Sequence, residues 1–235
     1  MNRPYIIMHM VTSVNSKITG EFLNTDAGKV ATDEYYRINR EYKADAYACG
    51  RITMEESFTK GYRPRLSAYK DLPAIREDFV AKKHGYYAVA IDPHGVLGWK
   101  NDIIKDEDPG YDNAHVIEVV TNQVKDEYLA FLRKKNISYI ICGEEEIDAK
   151  LMAKKLYSLF GIKKLLLEGG GKTNTLFYNA DLIDEISLVL CPKVSDGIDL
   201  FVNAKFNPKK FALKQIKTYN MQVMHSIHLR KTRIK

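Results

Sequence analysis

Cysteine is scarce in this sequence, and long apolar runs are missing. The three cysteines, Cys49, Cys142 and Cys191, lie far apart and include no C-x-x-C pair, so neither a disulfide framework nor a zinc site is indicated. No segment approaches the roughly 20 apolar residues that a membrane span requires. His9 interrupts the first apolar run, which is unfavourable for a signal peptide. We therefore expect a cytoplasmic protein with no membrane partner and no bound metal.

A basic arm is missing too. Lys and Arg number 36 against 30 Asp and Glu, and the two signs are interspersed, so the net charge of +6 forms no cationic stripe. The nearest candidate for a nucleic-acid contact is the C-terminal "HLRKTRIK", for which a solvated strand end is the plainer interpretation. We expect no nucleic-acid partner. A mild positive balance instead suits a small anionic ligand.

Short apolar runs alternate with helical patterns along most of the chain. "YIIMHMV" (5–11) predicts a strand that runs into a loop, a helix is predicted from Thr32, and "DAKLMAKKLYSLFG" (148–161) has the spacing of an amphipathic helix. This order predicts an α/β fold of three layers, with helices on both faces of a mainly parallel sheet. The last two β-like runs have no helix between them and predict an antiparallel hairpin joined near Asn220. No linker interrupts the pattern, so we expect one domain over residues 1–235.

Three consecutive glycines stand between an apolar strand and a new helix in "KKLLLEGGGKT" (163–173). In open α/β sheets, ligands bind beyond the carboxyl ends of the strands, and helix N-termini there offer N–H groups to anions. A phosphate could approach the bare backbone of Gly169–Gly171 closely. The spacing matches neither the dinucleotide G-x-G-x-x-G nor the P-loop, so a tight turn without a ligand is an equal alternative.

A second motif, "CGRITMEES" (49–57), also follows an apolar strand. Arg51 carries a planar fork that suits a phosphate, and Thr53 near a helix start can add a hydroxyl. The segment resembles the G-R-x-T-x-E-S segment of dihydrofolate reductases, and "EGGGKTNTLFYNADLIDEISLVLCPKV" resembles the glycine-rich turn, helix and strand of that superfamily. "IMHMVTSVNSKITG" resembles the first strand and loop of the riboflavin-biosynthesis pyrimidine reductases, the reductase domain of the bifunctional deaminase-reductases. The resemblance covers nearly the whole chain and implies a dihydrofolate reductase-like fold.

This resemblance implies NADPH as the cofactor and hydride transfer as the chemistry. Arg51 would lie beside the 2′-phosphate that distinguishes NADPH from NADH, and the segment from Asp92 to His94 would lie near the adenosine. The family often has a cis bond between the first two glycines of the run, which would explain the bare backbone at Gly169–Gly170. The residues implied to contact the cofactor are Thr12, Gly50, Arg51, Thr53, Gly169, Gly170, Gly171, Lys172 and Thr173.

In the pyrimidine-reductase branch, Asn15, Lys17 and Glu168 would face the substrate, with Lys17 and Glu168 as catalytic residues. The implied reaction reduces the ribosyl group of 5-amino-6-(5-phosphoribosylamino)uracil to a ribityl chain, through an imine at the sugar C1. Lys17, Glu168 or water could supply the proton, and a solvated loop lysine is an equal alternative for Lys17. Family members are usually homodimers, and the apolar face of the C-terminal hairpin could supply such an interface.

Some features depart from that branch. Asn15–Ser16 stand where Asp-Gly is common, and the A-D-D-P segment that often follows the GRIT-like motif has no counterpart. Arg63 and Arg65 could bind a substrate phosphate there, although surface arginines are the preferred interpretation. No H-x-E followed by P-C-x-x-C is present, so deamination would fall to another protein. The alternative functions are a sibling NADPH-dependent reductase of another imine or carbonyl compound, and a non-catalytic nucleotide-binding protein.

Overall fold

The computed structural model describes residues 2–73, 75–205, 211–219 and 223–230. Contacts within the chain define two compact units. Unit 1 comprises residues 1–4 and 44–165, and unit 2 comprises residues 5–43 and 166–235. The expectation of one domain over the whole chain stays a prediction.

Unit 1 contains a parallel sheet that is buried on both faces. Its elements in chain order are β2 (Ala46–Gly50), α2 (Arg51–Met54), β3 (Tyr87–Ile91), β4 (His115–Val120), α3 (Asp126–Lys134), β5 (Ser138–Ile141) and α4 (Ala149–Phe160). The strands lie in the order β5-β4-β3-β2, and every neighbouring pair is parallel. Every residue of β3 and β4 is buried, which explains why these strands have continuous apolar runs instead of alternating ones.

Helix α4 shows how local signals define an element of this unit. The Asp148 carboxylate accepts hydrogen bonds from the backbone N–H groups of Lys150 (2.9 Å) and Leu151 (3.0 Å) at the start of the helix. Gly161, with φ of 76°, ends the helix in the left-handed conformation. The amphipathic helix predicted over residues 148–161 is confirmed.

Unit 2 contains a mixed sheet. Its elements are β1 (Tyr5–Ser13), α1 (Asp26–Tyr42), α5 (Gly171–Asn179), β7 (Glu185–Cys191), β8 (Phe211–Tyr219) and β9 (Val223–Arg230), and the unit boundary falls within β6 (Lys164–Leu167). The order is β1-β7-β9-β8, with β1 and β7 parallel and the other two pairs antiparallel. The predicted α/β class, with a mainly parallel sheet and a C-terminal antiparallel hairpin, is confirmed. The turn expected near Asn220 lies outside the described residues.

Helix α1 begins at Asp26, so the prediction of a start at Thr32 is wrong. The Thr25 hydroxyl accepts a hydrogen bond from the Gly28 N–H at 3.1 Å and caps the helix seven residues before the cap expected at Thr32. Asp26 and Gly28 have the composition of a turn, which hid the cap in the sequence. The helix packs on the sheet of unit 2 through a core formed by Phe22, Ala31, Ile38, Val189, Cys191 and Val223.

Among the described residues, no helix combines the length and the hydropathy needed to cross a membrane. In the same part of the chain, no three His, Cys, Asp or Glu side chains are grouped so that they could hold a metal ion. The side chains of Cys49, Cys142 and Cys191 are all buried.

Candidate active site

In unit 2, Gly169–Gly171 form a sharp turn between Glu168 and α5. Gly169 and Gly170 have φ values of 100° and 72°, a conformation that residues with a Cβ rarely adopt. No peptide bond between described residues is cis, so the expected cis bond at Gly169–Gly170 is wrong. The positive φ angles of the first two glycines explain the bare backbone instead.

The third glycine allows a close backbone contact. A Cβ on Gly171 would lie 2.3 Å from the carbonyl oxygen of Asp199, well inside van der Waals contact. The Val202 N–H also approaches the Gly171 carbonyl at 3.4 Å. Gly171 is therefore required by the chain segment that passes over the start of α5.

That segment, residues 192–202, is here called the strap. It binds the loop after β1, residues 14–20, because the Leu200 N–H donates to the Ser16 carbonyl at 2.9 Å. It also binds α5, because Asn174 Nδ2 donates to the Leu200 carbonyl at 3.0 Å. The strap thus fixes the β1 loop relative to the glycine turn.

Lys17 is held by the strap. Its Nζ lies 2.6 Å from Asp199 Oδ1, and the backbones of the two residues form an isolated antiparallel bridge. The Lys17 side chain is 22% exposed. The Ser13 hydroxyl accepts a hydrogen bond from the Lys17 N–H at 3.0 Å, which fixes the base of the loop. Lys17 is therefore an oriented cation instead of a freely solvated one.

Asn15 ties the β1 loop to the strap in a way that aspartate could not. Its Nδ2 donates to the Ser195 carbonyl at 2.8 Å, while its Oδ1 accepts the Ser195 N–H at 3.1 Å. An ionised aspartate has no donor for the first bond. This contact gives a physical reason for asparagine at the position where the resembled branch commonly has aspartate. The predicted substrate contact of Asn15 stays a prediction.

Glu168 is buried at the end of β6. It is 6% exposed, and its Oε1 accepts a hydrogen bond from Asn39 Nδ2 of α1 at 2.6 Å. Thr12 is buried near the end of β1. In the first turn of α5, which contains no acidic residue, Lys172 is exposed and Thr173 is buried. The strand end and the start of α5 thus present an acid, a hydroxyl and a lysine around the glycine turn.

A buried histidine network lies between α1 and the sheet of unit 2. His9 Nε2 contacts the Tyr35 carbonyl at 3.0 Å and must donate, because a carbonyl only accepts. His9 Nδ1 therefore accepts from the Ser187 hydroxyl at 2.9 Å, whose oxygen accepts from His225 Nε2 at 2.8 Å. Burial lowers the pKa of His9 and of His225 to about 4. Both imidazoles are consequently neutral at pH 7.

In unit 1, the predicted phosphate motif forms the short helix α2. Arg51 Nη1 donates to Glu55 Oε2 at 2.6 Å, and the other oxygen of Glu55 lies 2.5 Å from Arg63 Nη2. Arg63 and then Arg51 hold the pKa of Glu55 below its usual value. Gly50 precedes the helix, and Thr53 is half-buried on it.

The turn after β3 is organised by Asp92. The Asp92 carboxylate is buried and accepts the N–H groups of Val96 (2.6 Å) and Leu97 (2.8 Å). Burial raises the pKa of Asp92, and the two N–H bonds oppose this shift. The Asp92 side chain thus folds onto its own turn, whereas His94 is exposed there.

Comparison with known proteins decides the family. The sequence profile described as the RibD C-terminal domain matches residues 106–224, just over half of the chain. The chain belongs to the RibD C-terminal domain family. This family assignment agrees with the resemblance to riboflavin-biosynthesis pyrimidine reductases.

Two curated relatives of this RibD-family chain are named 2,5-diamino-6-ribosylamino-4(3H)-pyrimidinone 5′-phosphate reductase. The protein of Methanothermobacter thermautotrophicus is 23% identical over 197 residues, which cover 84% of this chain and 82% of the relative. That of Aquifex aeolicus is 25% identical over 204 residues, covering 84% and 80%.

Solved structures show the same fold. A pyrimidine reductase-like protein from Corynebacterium diphtheriae superposes with a TM-score of 0.68 at 14% identity, over 98% of this chain and 93% of that one. A deaminase/reductase from Thermotoga maritima gives a TM-score of 0.63 at 16% identity, over 97% of this chain and 57% of that one.

Two contacts in the RibD-family chain were not predicted from its sequence. Asp199 lies in "SDGIDLF", which shows only turn composition, and its partner Lys17 precedes it by 182 residues. Asn39 lies within an amphipathic helix, where nothing marks it as the partner of Glu168. Both contacts depend on the tertiary fold, and no local pattern indicates them.

Proposed function

We propose that this chain is an NADPH-dependent reductase that converts a ribosylaminopyrimidine 5′-phosphate to its ribityl form in riboflavin biosynthesis. The observation that carries the proposal lies in unit 2, where the Lys17–Asp199 pair adjoins a glycine turn that follows a buried Glu168. Membership of the RibD family and the two curated reductases, which match 84% of this chain, support it.

The pyrimidine itself has two candidate forms. The names of the relatives give a 2,5-diaminopyrimidinone, whereas the resemblance implies the 5-aminouracil compound. The two differ at C2, which carries an amino group in the first and a carbonyl oxygen in the second. The reducible sugar and its 5′-phosphate are common to both. The proposal therefore covers both forms, and an assay must rank them.

The residues of unit 2 fit the proposed cofactor. The first N–H groups of α5 have no partner within the helix, and no acidic side chain in that turn opposes an anion. We propose that Gly169–Gly171, Lys172 and Thr173 contact the cofactor there, with Thr12 at the end of β1. NADPH, when bound, supplies the hydride.

Unit 1 offers its own cofactor contacts. Arg51 is 37% exposed and carries more donors than its bond to Glu55 uses, so it can also bind a phosphate oxygen. We propose that Arg51 contacts the 2′-phosphate and that Gly50 and Thr53 flank it on α2. Arg51→Ala should then weaken NADPH binding far more than NADH binding.

The side chains of unit 2 have separate roles in the proposed reaction. Reduction of the ribosyl group adds a hydride and a proton, and Lys17 Nζ is a proton-bearing group whose direction Asp199 fixes. We propose Lys17 as the proton donor. Glu168, held by Asn39, is proposed to orient the substrate, and Asn15 to contact it at the edge of the β1 loop.

We also propose that the protein is a cytoplasmic homodimer. On β8 of the C-terminal hairpin, Leu213 and Ile216 are 56% and 50% exposed. Apolar side chains on an edge strand are suited to pairing with a second copy.

The test is NADPH consumption by the purified chain with each of the two pyrimidines. We expect turnover of about 1 per second or more with at least one of them, with the ribityl compound as product. NADPH binding without turnover of either compound would contradict the proposed reaction. It would favour a sibling reductase or a nucleotide-binding protein.

A further inference from the structure

Glu55 holds two arginines side by side in unit 1. Its Oε2 accepts from Arg51 Nη1 at 2.6 Å, and its Oε1 contacts Arg63 Nη2 at 2.5 Å. The three side chains, here called the arginine clamp, have exposed fractions of 37%, 44% and 21% for Arg51, Arg63 and Glu55. Both guanidinium groups are therefore fixed by the same carboxylate and still reach solvent.

Arg63 is also positioned from its other side. Its Nη1 donates to the Val96 carbonyl at 3.1 Å. The backbone before Arg63 packs on the same turn, since a Cβ on Gly98 would lie 2.3 Å from the Tyr62 carbonyl oxygen. The buried Asp92 closes the turn by accepting the Val96 N–H. Arg63 is thus held by a defined turn.

The charge of the clamp is not balanced. Among its three side chains, two guanidinium groups share one carboxylate, which leaves a surplus of one positive charge. The buried Asp92 carboxyl nearby also interacts electrostatically with both arginines. Each guanidinium has five N–H donors, and the described contacts of Arg51 and Arg63 use one and two of them. A rigid pair of donors with surplus charge suits a phosphate, which accepts paired hydrogen bonds through several oxygens.

We propose that the arginine clamp is a binding site for a phosphate monoester, with Arg63 as a binding residue in addition to Arg51. A monoester carries a charge of about −1.5 to −2 at pH 7, more than the single charge of a carboxylate. The inference rests on the proposed function, because both the 2′-phosphate of NADPH and the 5′-phosphate of the sugar substrate are monoesters. Asp92 is a positioning residue for Arg63 through the turn that presents the Val96 carbonyl.

Binding measurements on the full chain test the proposal. Calorimetric titration with 2′,5′-ADP against 5′-AMP, and with ribose 5-phosphate against ribose, isolates each phosphate source. The variants are Arg63→Ala, Arg63→Lys and Arg51→Ala. Arg65→Ala is the matched control, since Arg65 lies two residues away and makes no ion pair within the described residues. Circular dichroism confirms that each variant is folded.

Arg63→Ala should weaken binding of either 2′,5′-ADP or ribose 5-phosphate about 10- to 100-fold, the range of a charge-assisted hydrogen bond. The partner compound without that phosphate should change less than about twofold, and Arg63→Lys should recover part of the loss, because it restores the charge but not the fork. Arg65→Ala should leave all four affinities within about twofold.

Several results would overturn the proposal. Equal losses for Arg63→Ala and Arg65→Ala would reduce Arg63 to a surface charge. Loss of 2′,5′-ADP binding in Arg51→Ala, with the affinities for both 2′,5′-ADP and ribose 5-phosphate unchanged in Arg63→Ala, would exclude the clamp while leaving the proposed cofactor site intact. Conversely, the variants could show the expected affinities while the chain reduces neither pyrimidine. That result would support the clamp and contradict the proposed function.

Discussion

Lys17 of unit 2 faces one carboxylate, whereas Arg51 and Arg63 of unit 1 share one. The Lys17–Asp199 pair is balanced in charge, and its lysine is 22% exposed. The arginine clamp has a surplus positive charge, and its two arginines are 37% and 44% exposed. A balanced pair suits the orientation of a proton donor, and an unbalanced one suits the binding of an anion. The ratio of the charges, more than the residue types or their exposure, distinguishes the two roles.

Both units bury titratable side chains whose pKa values are shifted by burial. Unit 1 buries Asp92 and Glu118, and burial raises the pKa of both carboxyl groups. Glu118 accepts hydrogen bonds from Trp99 and Tyr128. Both units also bury imidazoles, and burial lowers the pKa of His115 in unit 1 and of His9 and His225 in unit 2 to about 4. The contribution of the buried carboxyl groups to folding stability therefore decreases as the pH rises, whereas that of the buried imidazoles decreases as the pH falls.

The largest effect is expected for Lys17→Ala. If the balanced pair serves proton transfer, kcat should fall about 10²- to 10⁴-fold while the Kd of NADPH changes less than about twofold. Steady-state kinetics and a separate cofactor titration measure both. Lys29→Ala, an exposed lysine of α1 in the same unit, is the control. An unchanged kcat would reduce the Lys17–Asp199 pair to a structural contact.

His9→Gln tests the buried imidazoles. The folded-state pKa of His9, about 4, lies below its ordinary value of 6.5, so the unfolded chain binds the proton first as pH falls. The contribution of His9 to the free energy of unfolding is fully present above about pH 6.5 and is lost as the pH falls from about 6.5 to about 4. At pH 5 about 2 kcal/mol of this contribution has been lost.

Urea unfolding at pH 7.5 and pH 5 measures that difference. Between pH 7.5 and pH 5, the free energy of unfolding should fall by about 2 kcal/mol less in His9→Gln than in the wild type. This difference does not depend on how stable the variant is at pH 7.5. His94→Gln, at an exposed turn histidine, is the control. An equal fall for the wild type and His9→Gln would show that His9 titrates normally in the folded protein.

Gly171→Ala tests the close approach of the strap. The added Cβ would meet the Asp199 carbonyl at 2.3 Å, so we expect a loss of about 1–3 kcal/mol in unfolding free energy. Gly85→Ala is the matched control, because no atom lies within 4 Å of its added Cβ. Thermal unfolding of the two variants compares them directly. A Tm for Gly171→Ala equal to that of the control would mean that the strap can move away.

The smallest effect is expected for Asp199→Asn. Asparagine keeps the shape but removes the charge that orients Lys17, so kcat should fall about tenfold with little change in KM. In a Lys17→Ala background the same substitution should cost almost nothing more, because the two residues act as a pair. If the losses of kcat from Asp199→Asn and Lys17→Ala were instead additive in the double variant, the two residues would act independently.

The sequence predicted the alternating elements because helical and strand periodicities are local properties. It did not predict the start of α1 at Asp26, where the cap is formed by a turn-like segment. It also identified Lys17, Glu168 and the glycine run without their partners. Asp199 lies 182 residues from Lys17, and only the folded chain brings the two together.

Arg63 shows the same limit in unit 1. From the sequence it was one of two equivalent arginines in a polar excursion, with surface exposure as the preferred interpretation. The structure distinguishes it from Arg65 because Glu55, Val96 and the backbone at Gly98 all meet there. Such a convergence of the end of α2 and the turn at residues 92–98 on Arg63 leaves no pattern in the residues around Arg63.

The most direct test of the central claim follows the hydrogen itself. The purified chain would be supplied with NADPH that carries deuterium at both C4 positions of the dihydronicotinamide and with the preferred ribosylaminopyrimidine 5′-phosphate. The product would be examined by mass spectrometry and NMR. The account predicts one deuterium at C1 of the ribityl chain for each turnover. Deuterium elsewhere in the product, or NADPH consumed without labelling of the sugar, would contradict it.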